Sequence, residues 1–171
     1  MRVFGLCVPL LALWLLPACG SGDLSRDTVT NLPAGDATGT ARGGRYDLTV
    51  RTLSCSGQCP TFQVAIFTIR ICEVGNVDNQ TVDATQNDGE LVVSGDAGLY
   101  VDAMRGGVWQ DGRFDVGGYA NEQGVDITAR VEGTIAADGT ISARARVYGS
   151  GTVSGTSVSC NGSYDITGAR Q

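Results

Sequence analysis

Cys19 is the first residue of the chain that could carry chemistry at a position defined by the surrounding sequence. One cation, Arg2, precedes an uncharged apolar stretch from Val3 to Leu16, and Pro17 and Ala18 separate that stretch from the cysteine. A positive start, an apolar core and a small residue at its end are typical of a secretory signal. At fourteen residues, the core is shorter than the roughly 20 that a membrane-spanning helix needs. The sequence therefore predicts export.

The segment Leu16-Pro17-Ala18-Cys19 resembles the lipobox of bacterial lipoproteins, which has an aliphatic residue, a free choice, a small residue and then cysteine. The resemblance implies that residues 1–18 are a signal peptide and that the Cys19 sulfur carries a diacylglycerol; in that family the amine of the cysteine is often acylated as well. Cys19 would then hold the protein on the bilayer of the cell envelope, because two or three acyl chains anchor stably. Gly20 and Ser21 follow in place of an aspartate, which resembles the outer-membrane default of diderm bacteria. The alternative is an ordinary signal peptide cut after Ala18, with Cys19 a spare thiol.

Four further cysteines, Cys55, Cys59, Cys72 and Cys160, lie in the exported part. An even number of cysteines in an oxidising compartment predicts two disulfides. The alternatives are a redox pair and a metal site. However, three residues separate Cys55 from Cys59, instead of the two of a thioredoxin motif, and no histidine is present to complete a zinc site. We expect structural disulfides, with no metal and no cofactor.

The pairing depends on whether residues 62–72 form one continuous strand. In such a strand Cys59 and Cys72 lie at opposite ends, some 40 Å apart at about 3.3 Å per residue. A disulfide needs Cα atoms within roughly 7 Å, and the same argument disfavours Cys55–Cys72. The expected pairs are therefore Cys55–Cys59 and Cys72–Cys160, and a break in the strand would reopen the choice.

The composition excludes most catalytic arrangements. The chain has no histidine, and its 12 basic residues are all arginines. Ser-His-Asp and Cys-His catalysis, Ser-Lys pairs and Schiff bases are thereby excluded. Only carboxylate chemistry such as glycoside hydrolysis survives, and we predict that the protein is not an enzyme. The net charge of −6 makes nucleic acid a poor partner.

Three other features invite a binding interpretation. The acidic segment 73–90 could bind calcium, but a solvated loop is the expectation. Arg130, Arg144 and Arg146 are predicted to point outward from two paired strands, and we interpret them as a solubilising face in preference to an anion site. Trp109 lies near a predicted hairpin tip, where it would either contact a ligand at a barrel mouth or plug the barrel end.

The segment 19–44 separates the predicted anchor from the first strand-like run. It is rich in Gly, Thr, Asp and Ala and has no apolar period, a composition that favours disorder. As a flexible coil it would hold the following domain about 25–30 Å from the lipid on average. We therefore predict a lipidated, disordered tether over 19–44 and a single all-β domain over 45–171.

An apolar residue at every second position dominates the chain after residue 45, which predicts strands with one buried and one solvated face. The strand-like runs are 45–54, 62–72, 80–86, 90–95, 98–104, 113–120, 125–136, 140–149 and 156–168. Eight or nine consecutive strands with short turns indicate an antiparallel meander that either closes or splits into two sheets. The similar first and last runs, GRYDLTV and GSYDITG, would lie side by side. We predict a closed up-and-down barrel, with a β-sandwich as the alternative; the architecture resembles the calycin barrels, without their signature motifs.

One hairpin can be predicted in register. A three-residue loop, Ala137-Asp138-Gly139, pairs Ile135 with Ile141 and Val131 with Ala145, which keeps both apolar sets on one face. It requires a left-handed Gly139. The same register sets Glu132 opposite Arg144 as an expected ion pair.

Two functions remain open from the sequence. The first is a non-catalytic lipoprotein that acts as an envelope component or binds an envelope protein. The second is a barrel that holds a small apolar ligand. A filled interior would favour the first, and a continuous void with Trp109 at its mouth would favour the second.

Overall fold

The computed structural model describes residues 21–59, 61–64, 67–70, 72–95, 97–122, 124–153 and 155–171. The described chain begins with a short 3-10 helix, Ser21–Leu24, followed by helix α1, Arg26–Thr30. The remaining elements are the strands β1 (Gly44–Gln58), β2 (Thr61–Val64), β3 (Phe67–Arg70), β4 (Val77–Asn87), β5 (Glu90–Ser94), β6 (Ala103–Val108), β7 (Arg113–Glu122), β8 (Val125–Ile135), β9 (Thr140–Val153) and β10 (Thr156–Arg170).

Eight of these strands form one closed antiparallel barrel in the order β1-β10-β9-β8-β7-β6-β5-β4. Each strand lies beside its sequence neighbour, apart from the β2–β3 hairpin, which is inserted between β1 and β4 as a separate two-stranded sheet. The first and last strands close the barrel, with Val50 opposite Ile166. The predicted up-and-down barrel is thus confirmed, and the sandwich is excluded. Closure removes the free edges that a meander would otherwise expose.

The alternation in the sequence determines which face of each strand is inside. In β1, Tyr46, Leu48 and Val50 are buried, whereas Asp47 and Thr49 between them are exposed. Most other inward residues are valine, alanine or isoleucine, which are small enough for the narrow interior of an eight-stranded barrel.

The β8–β9 hairpin has the predicted register. Ile135 lies opposite Ile141 and Val131 opposite Ala145, and Gly139 is left-handed with φ of 87°. Because side chains alternate with a period of two, a shift of one residue would have turned one apolar set to solvent.

The predicted pairing of the cysteines is wrong. The disulfides are Cys55–Cys72, with a Cα–Cα distance of 5.9 Å, and Cys59–Cys160, with 4.7 Å. The physical reason is that residues 62–72 do not form one strand. β2 and β3 pair antiparallel, with Val64 opposite Phe67, so the chain returns and brings Cys72 back beside the end of β1.

The predicted disordered tether is also wrong for its described part. Residues 21–43, called the strap from here on, lie on the barrel. Val29 of α1 is 0% exposed and Ala37 only 7%, and the backbone N–H of Gly35 donates to the carbonyl of Gly89 at 2.8 Å. The composition hid this contact because the strap buries few side chains and attaches through its backbone.

Candidate functional site

Cys19, the predicted lipidation site, lies outside the described residues. The first described residue, Ser21, opens the 3-10 helix of the strap. The first contact of the strap with the barrel is that of Asp23 with Arg130 and Arg146, and the four residues from Cys19 to Asp23 span at most about 14 Å of chain. The attachment point of the predicted lipid is therefore close to where the barrel holds Asp23, and the docking of the strap becomes the central feature of the candidate site.

Helix α1 packs on the outer face of β7. Ser25 caps the helix, with its Oγ accepting a hydrogen bond from the backbone N–H of Thr28 at 3.2 Å. Val29 lies over Gly117, where an added Cβ would stand 2.5 Å from the Val29 carbonyl oxygen. Only glycine leaves room for the helix at this position of the strand.

A cluster of charged side chains holds the first turn of the strap. The side chain of Arg130 in β8 is 16% exposed and forms an ion pair with Asp23 of the strap. It also donates two hydrogen bonds to Asp115, at 2.9 and 2.7 Å. Arg146 of β9 contacts both Asp23 and Glu132, the latter at 3.3 Å. A bidentate hydrogen bond of a guanidinium to a carboxylate is among the stronger charged interactions in proteins.

This cluster changes the interpretation of the three outward arginines. Arg130 and Arg146 are neutralised by acids, in part by one from the strap, which does not favour an anion site. Glu132 lies opposite Arg144 in register, but the expected ion pair between them is wrong. Arg144 instead contacts Asp165 of β10 at 3.3 Å, because Glu132 is drawn to Arg130 and Arg146.

Asp115 has an altered acidity within the cluster. Burial, followed by the nearby carboxylate of Glu132, raises the pKa of Asp115 to about 6, while Arg146 acts in the opposite direction. The hydrogen bonds from Arg130 favour the ionised form as well. The net rise means that the folded protein favours the protonated form of Asp115 more than an unfolded chain does.

The second half of the strap closes one end of the barrel. The backbone N–H of Ala37 donates to the carbonyl of Val108 at 3.1 Å, and the Ala37 side chain joins the main core. Arg42 donates from its backbone to Oε1 of Gln86 at 2.7 Å and from Nη1 to the carbonyl of Ile135 at 2.6 Å. Tyr46 Oη donates to the carbonyl of Arg42 at 2.7 Å. These contacts join β4, β8 and β1 across the opening.

The other end is closed by the loop between β5 and β6. Ala97, Leu99 and Val101 are all buried there, with Leu99 at 0% exposure. Tyr100 points outward with 46% exposure and a φ of 62°. The predicted strand 98–104 is therefore wrong over most of its length, because its apolar residues fold inward as a cap.

The space left inside the barrel is small. The cavity measures about 40 Å³ and is lined by apolar residues, among them Leu91, Leu99 and Phe114. A water molecule occupies about 30 Å³ in the liquid, and a typical ligand pocket about 300–1,000 Å³. The interior is thus filled by its own side chains and by the two end closures.

Trp109, the predicted mouth contact, lies in the β6–β7 turn and is partly buried. It is not among the described residues that line the cavity. The Arg113 guanidinium stands 5.6 Å from the centre of its ring. Next to it, the backbone N–H of Gln110 donates to Oδ1 of Asp36 in the strap at 3.0 Å. The mouth that Trp109 was expected to line is covered by the strap.

The acidic segment 73–90 is mostly strand, since β4 occupies Val77–Asn87. The last two acids of the segment contact the strap and β6. Asp88 Oδ1 accepts a hydrogen bond from the backbone N–H of Gly39 at 2.9 Å, and Glu90 forms an ion pair with Arg105 of β6 at 3.3 Å. Among the described residues, no group of three or more Cys, Asp or Glu side chains is arranged to hold a metal ion.

Comparison with protein families, curated proteins and solved structures finds no match to this chain. Within the described part of the chain, none of the helices combines the length and apolar character needed to cross a membrane.

Proposed function

We propose that this protein is a bacterial lipoprotein, anchored in the envelope through acylated Cys19, whose barrel is a non-catalytic module that is an envelope component or binds another envelope protein. The observation that carries the proposal is the sequence Leu16-Pro17-Ala18-Cys19 shortly ahead of a chain that docks on its own barrel from Asp23 onward. Localisation at the outer membrane of a diderm cell follows from Gly20 and Ser21 after the cysteine.

The closed interior supports a role that does not involve a stored ligand or a catalytic pocket. Both ends of the barrel are covered, by the strap and by loop 97–101. The described residues that line the cavity are apolar and include no carboxylate, whereas glycoside hydrolysis needs two acids flanking a substrate. The surface is therefore where the barrel would act.

The alternative, a barrel that carries a small apolar ligand, has one feature in its favour, namely the wholly apolar lining. The volume of about 40 Å³ opposes it. Admitting such a ligand would require displacement of a closure such as Leu99 or Ala37.

Fractionation of cells that express the full chain tests the anchor. The wild type should sediment with membranes and dissolve only in detergent, whereas Cys19→Ala should be released as a soluble protein after ordinary cleavage. A wild type that fractionates as Cys19→Ala does would overturn the proposal.

Amine chemistry supplies a second readout from the same preparation. Because the chain has no lysine, a mature protein acylated on its N-terminal amine has no primary amine. An amine-reactive dye should therefore label processed Cys19→Ala and leave the wild type unlabelled. Labelling of a membrane-bound wild type would remove the N-acyl chain from the proposal and leave the diacylglycerol.

A further inference from the structure

The strap changes where a lipid on Cys19 would sit relative to the barrel. A disordered 19–44 segment would hold the domain about 25–30 Å from the lipid. In the structure, however, contact with the barrel begins at the 3-10 helix Ser21–Leu24. The first contact to the barrel is that of Asp23, and the four residues from Cys19 to Asp23 reach at most about 14 Å, so the anchor leaves little free chain.

The contacts of the first turn determine which side of the barrel lies next to the anchor. Asp23 is held by Arg130 of β8 and Arg146 of β9. The carbonyl of Leu24 accepts a hydrogen bond from Oγ1 of Thr128, at 2.8 Å. Thr128 is only 6% exposed because it lies under the strap. The strap therefore starts on the outer faces of β8 and β9, on the side of the barrel and away from both of its ends.

The rest of the strap prevents this first turn from swinging away. Val29 is fully buried over Gly117 of β7, and Gly35 is seated against the β4–β5 turn at Gly89. An added Cβ on Gly89 would stand 2.0 Å from the Gly35 carbonyl oxygen. These contacts fix the strap at points well separated along its length.

We propose that the docked strap holds the barrel side-on against the bilayer, with the outer faces of β8 and β9 turned to the lipid headgroups. The inference rests on the proposed lipidation of Cys19. The acids Asp23 and Glu132 on this side are paired with arginines, and the exposed Arg144 contacts Asp165, so these acids do not face the headgroups unpaired.

Single fluorescent labels test the orientation in the lipidated full chain. The mature protein has its anchor cysteine acylated and its other cysteines in disulfides, so an introduced cysteine is the one free thiol. Ser142→Cys places the label on the outer face of β9, and Thr85→Cys places the matched control on β4, across the barrel. Both native side chains are exposed.

The labelled proteins are bound to vesicles of phosphatidylethanolamine and phosphatidylglycerol that contain headgroup spin-labelled lipid. We expect the Ser142→Cys label to be quenched several-fold more than the Thr85→Cys label. Equal, weak quenching of both labels on floating vesicles would overturn the side-on arrangement and leave the lipoprotein proposal standing. Protection of the Ser142→Cys label in intact envelopes, without quenching in vesicles, would also overturn it, since a protein would then cover that face.

Failure of the proposed function has a different signature, because an unlipidated protein would not float with the vesicles at all. The strap itself is tested with Val29→Asp, which places a charge in its buried contact. This variant should still float but lose the difference between the two labels. A retained difference would show that the strap does not set the orientation, which would contradict the proposal.

Discussion

The two ends of the barrel differ in how the chain is held there. At the strap end, residues 35–43 lie across the opening through hydrogen bonds and one buried alanine, without a covalent link. At the opposite end, β1 pairs with β4 only as far as Arg51 and Val77, while its pairing with β10 continues to Gln58 and Ser159. Both disulfides, Cys55–Cys72 and Cys59–Cys160, lie in this prolonged part.

The difference follows from the amount of core available at each end. The strap and the loop 97–101 both lie over the main hydrophobic core, whereas the prolonged part of β1 and β10 has a small satellite cluster of Val125, Val158 and Cys160 with a few partly buried neighbours. Where strands extend beyond the core, too little apolar surface is buried to offset the entropy of ordering the chain. Cross-links then supply stability by restricting the unfolded chain.

The largest expected effect comes from removing the long-range disulfide. Cys59 and Cys160 are 101 residues apart and Cys55 and Cys72 only 17, so chain entropy predicts losses of about 5 and about 3 kcal/mol respectively. Urea unfolding of Cys59→Ser/Cys160→Ser and of Cys55→Ser/Cys72→Ser, against the wild type, measures both. Small and equal losses would mean that the disulfide end does not depend on its cross-links.

Truncation of the loop cap should come next. Leu99 is fully buried and lines the cavity, so Leu99→Ala should lower the free energy of unfolding by about 2–5 kcal/mol. Val77→Ala, at a side chain that is 44% exposed, is the matched control and should change it little. A neutral Leu99→Ala would indicate that the loop is not part of the closure.

Docking of the strap is probed by two glycines of the barrel. A Cβ at Gly117 would stand 2.5 Å from the Val29 carbonyl oxygen, whereas a Cβ at Gly149 would meet a side-chain carbon at 3.6 Å. Gly117→Ala should therefore cost about 1–3 kcal/mol, with faster amide exchange in α1, and Gly149→Ala should be tolerated. If the two variants behave alike, the strap is not seated on β7.

The smallest expected effect is a pH dependence from Asp115. Burial raises the pKa of Asp115 in the folded protein to about 6, compared with about 3.9 in an unfolded chain. The stabilising contribution of the protonated group is then fully present below pH about 4 and is lost as the pH rises through about 6. The free energy of unfolding of the wild type should fall across this window by more than that of Asp115→Asn. Parallel pH profiles would contradict this assignment.

The barrel was predictable because its signal is local and periodic. The alternation of apolar and polar residues fixed the inward faces, and in the β8–β9 hairpin the need to keep Ile135 and Ile141 on one face fixed the register as well. The match of the first and last runs predicted their pairing in the closed barrel. Each of these inferences needs only residues close in sequence or a direct likeness between two segments.

Neither the docking of the strap nor the disulfide pairing could be predicted, because in both segments the local sequence pattern indicates a different structure. The strap buries Val29 and Ala37 among polar residues, so its composition is that of a disordered segment. Gly107 and Gly117 were a signal of this contact, because an added Cβ there would collide with Pro33 and Val29 of the strap. A glycine in the sequence does not, however, indicate which segment packs against it. The disulfide pairs depended on a reversal between Val64 and Phe67 within a run whose apolar residues indicated a single strand.

The intact mass of the mature protein, purified from membranes without acid or base treatment, shows whether Cys19 is the lipidated N-terminal residue. We expect a chain that begins at Cys19 and carries the added mass of a diacylglycerol and an amide-linked acyl chain, with four cysteines oxidised. A mass that corresponds to an unmodified chain beginning at Cys19, or to the uncleaved precursor, would contradict this expectation.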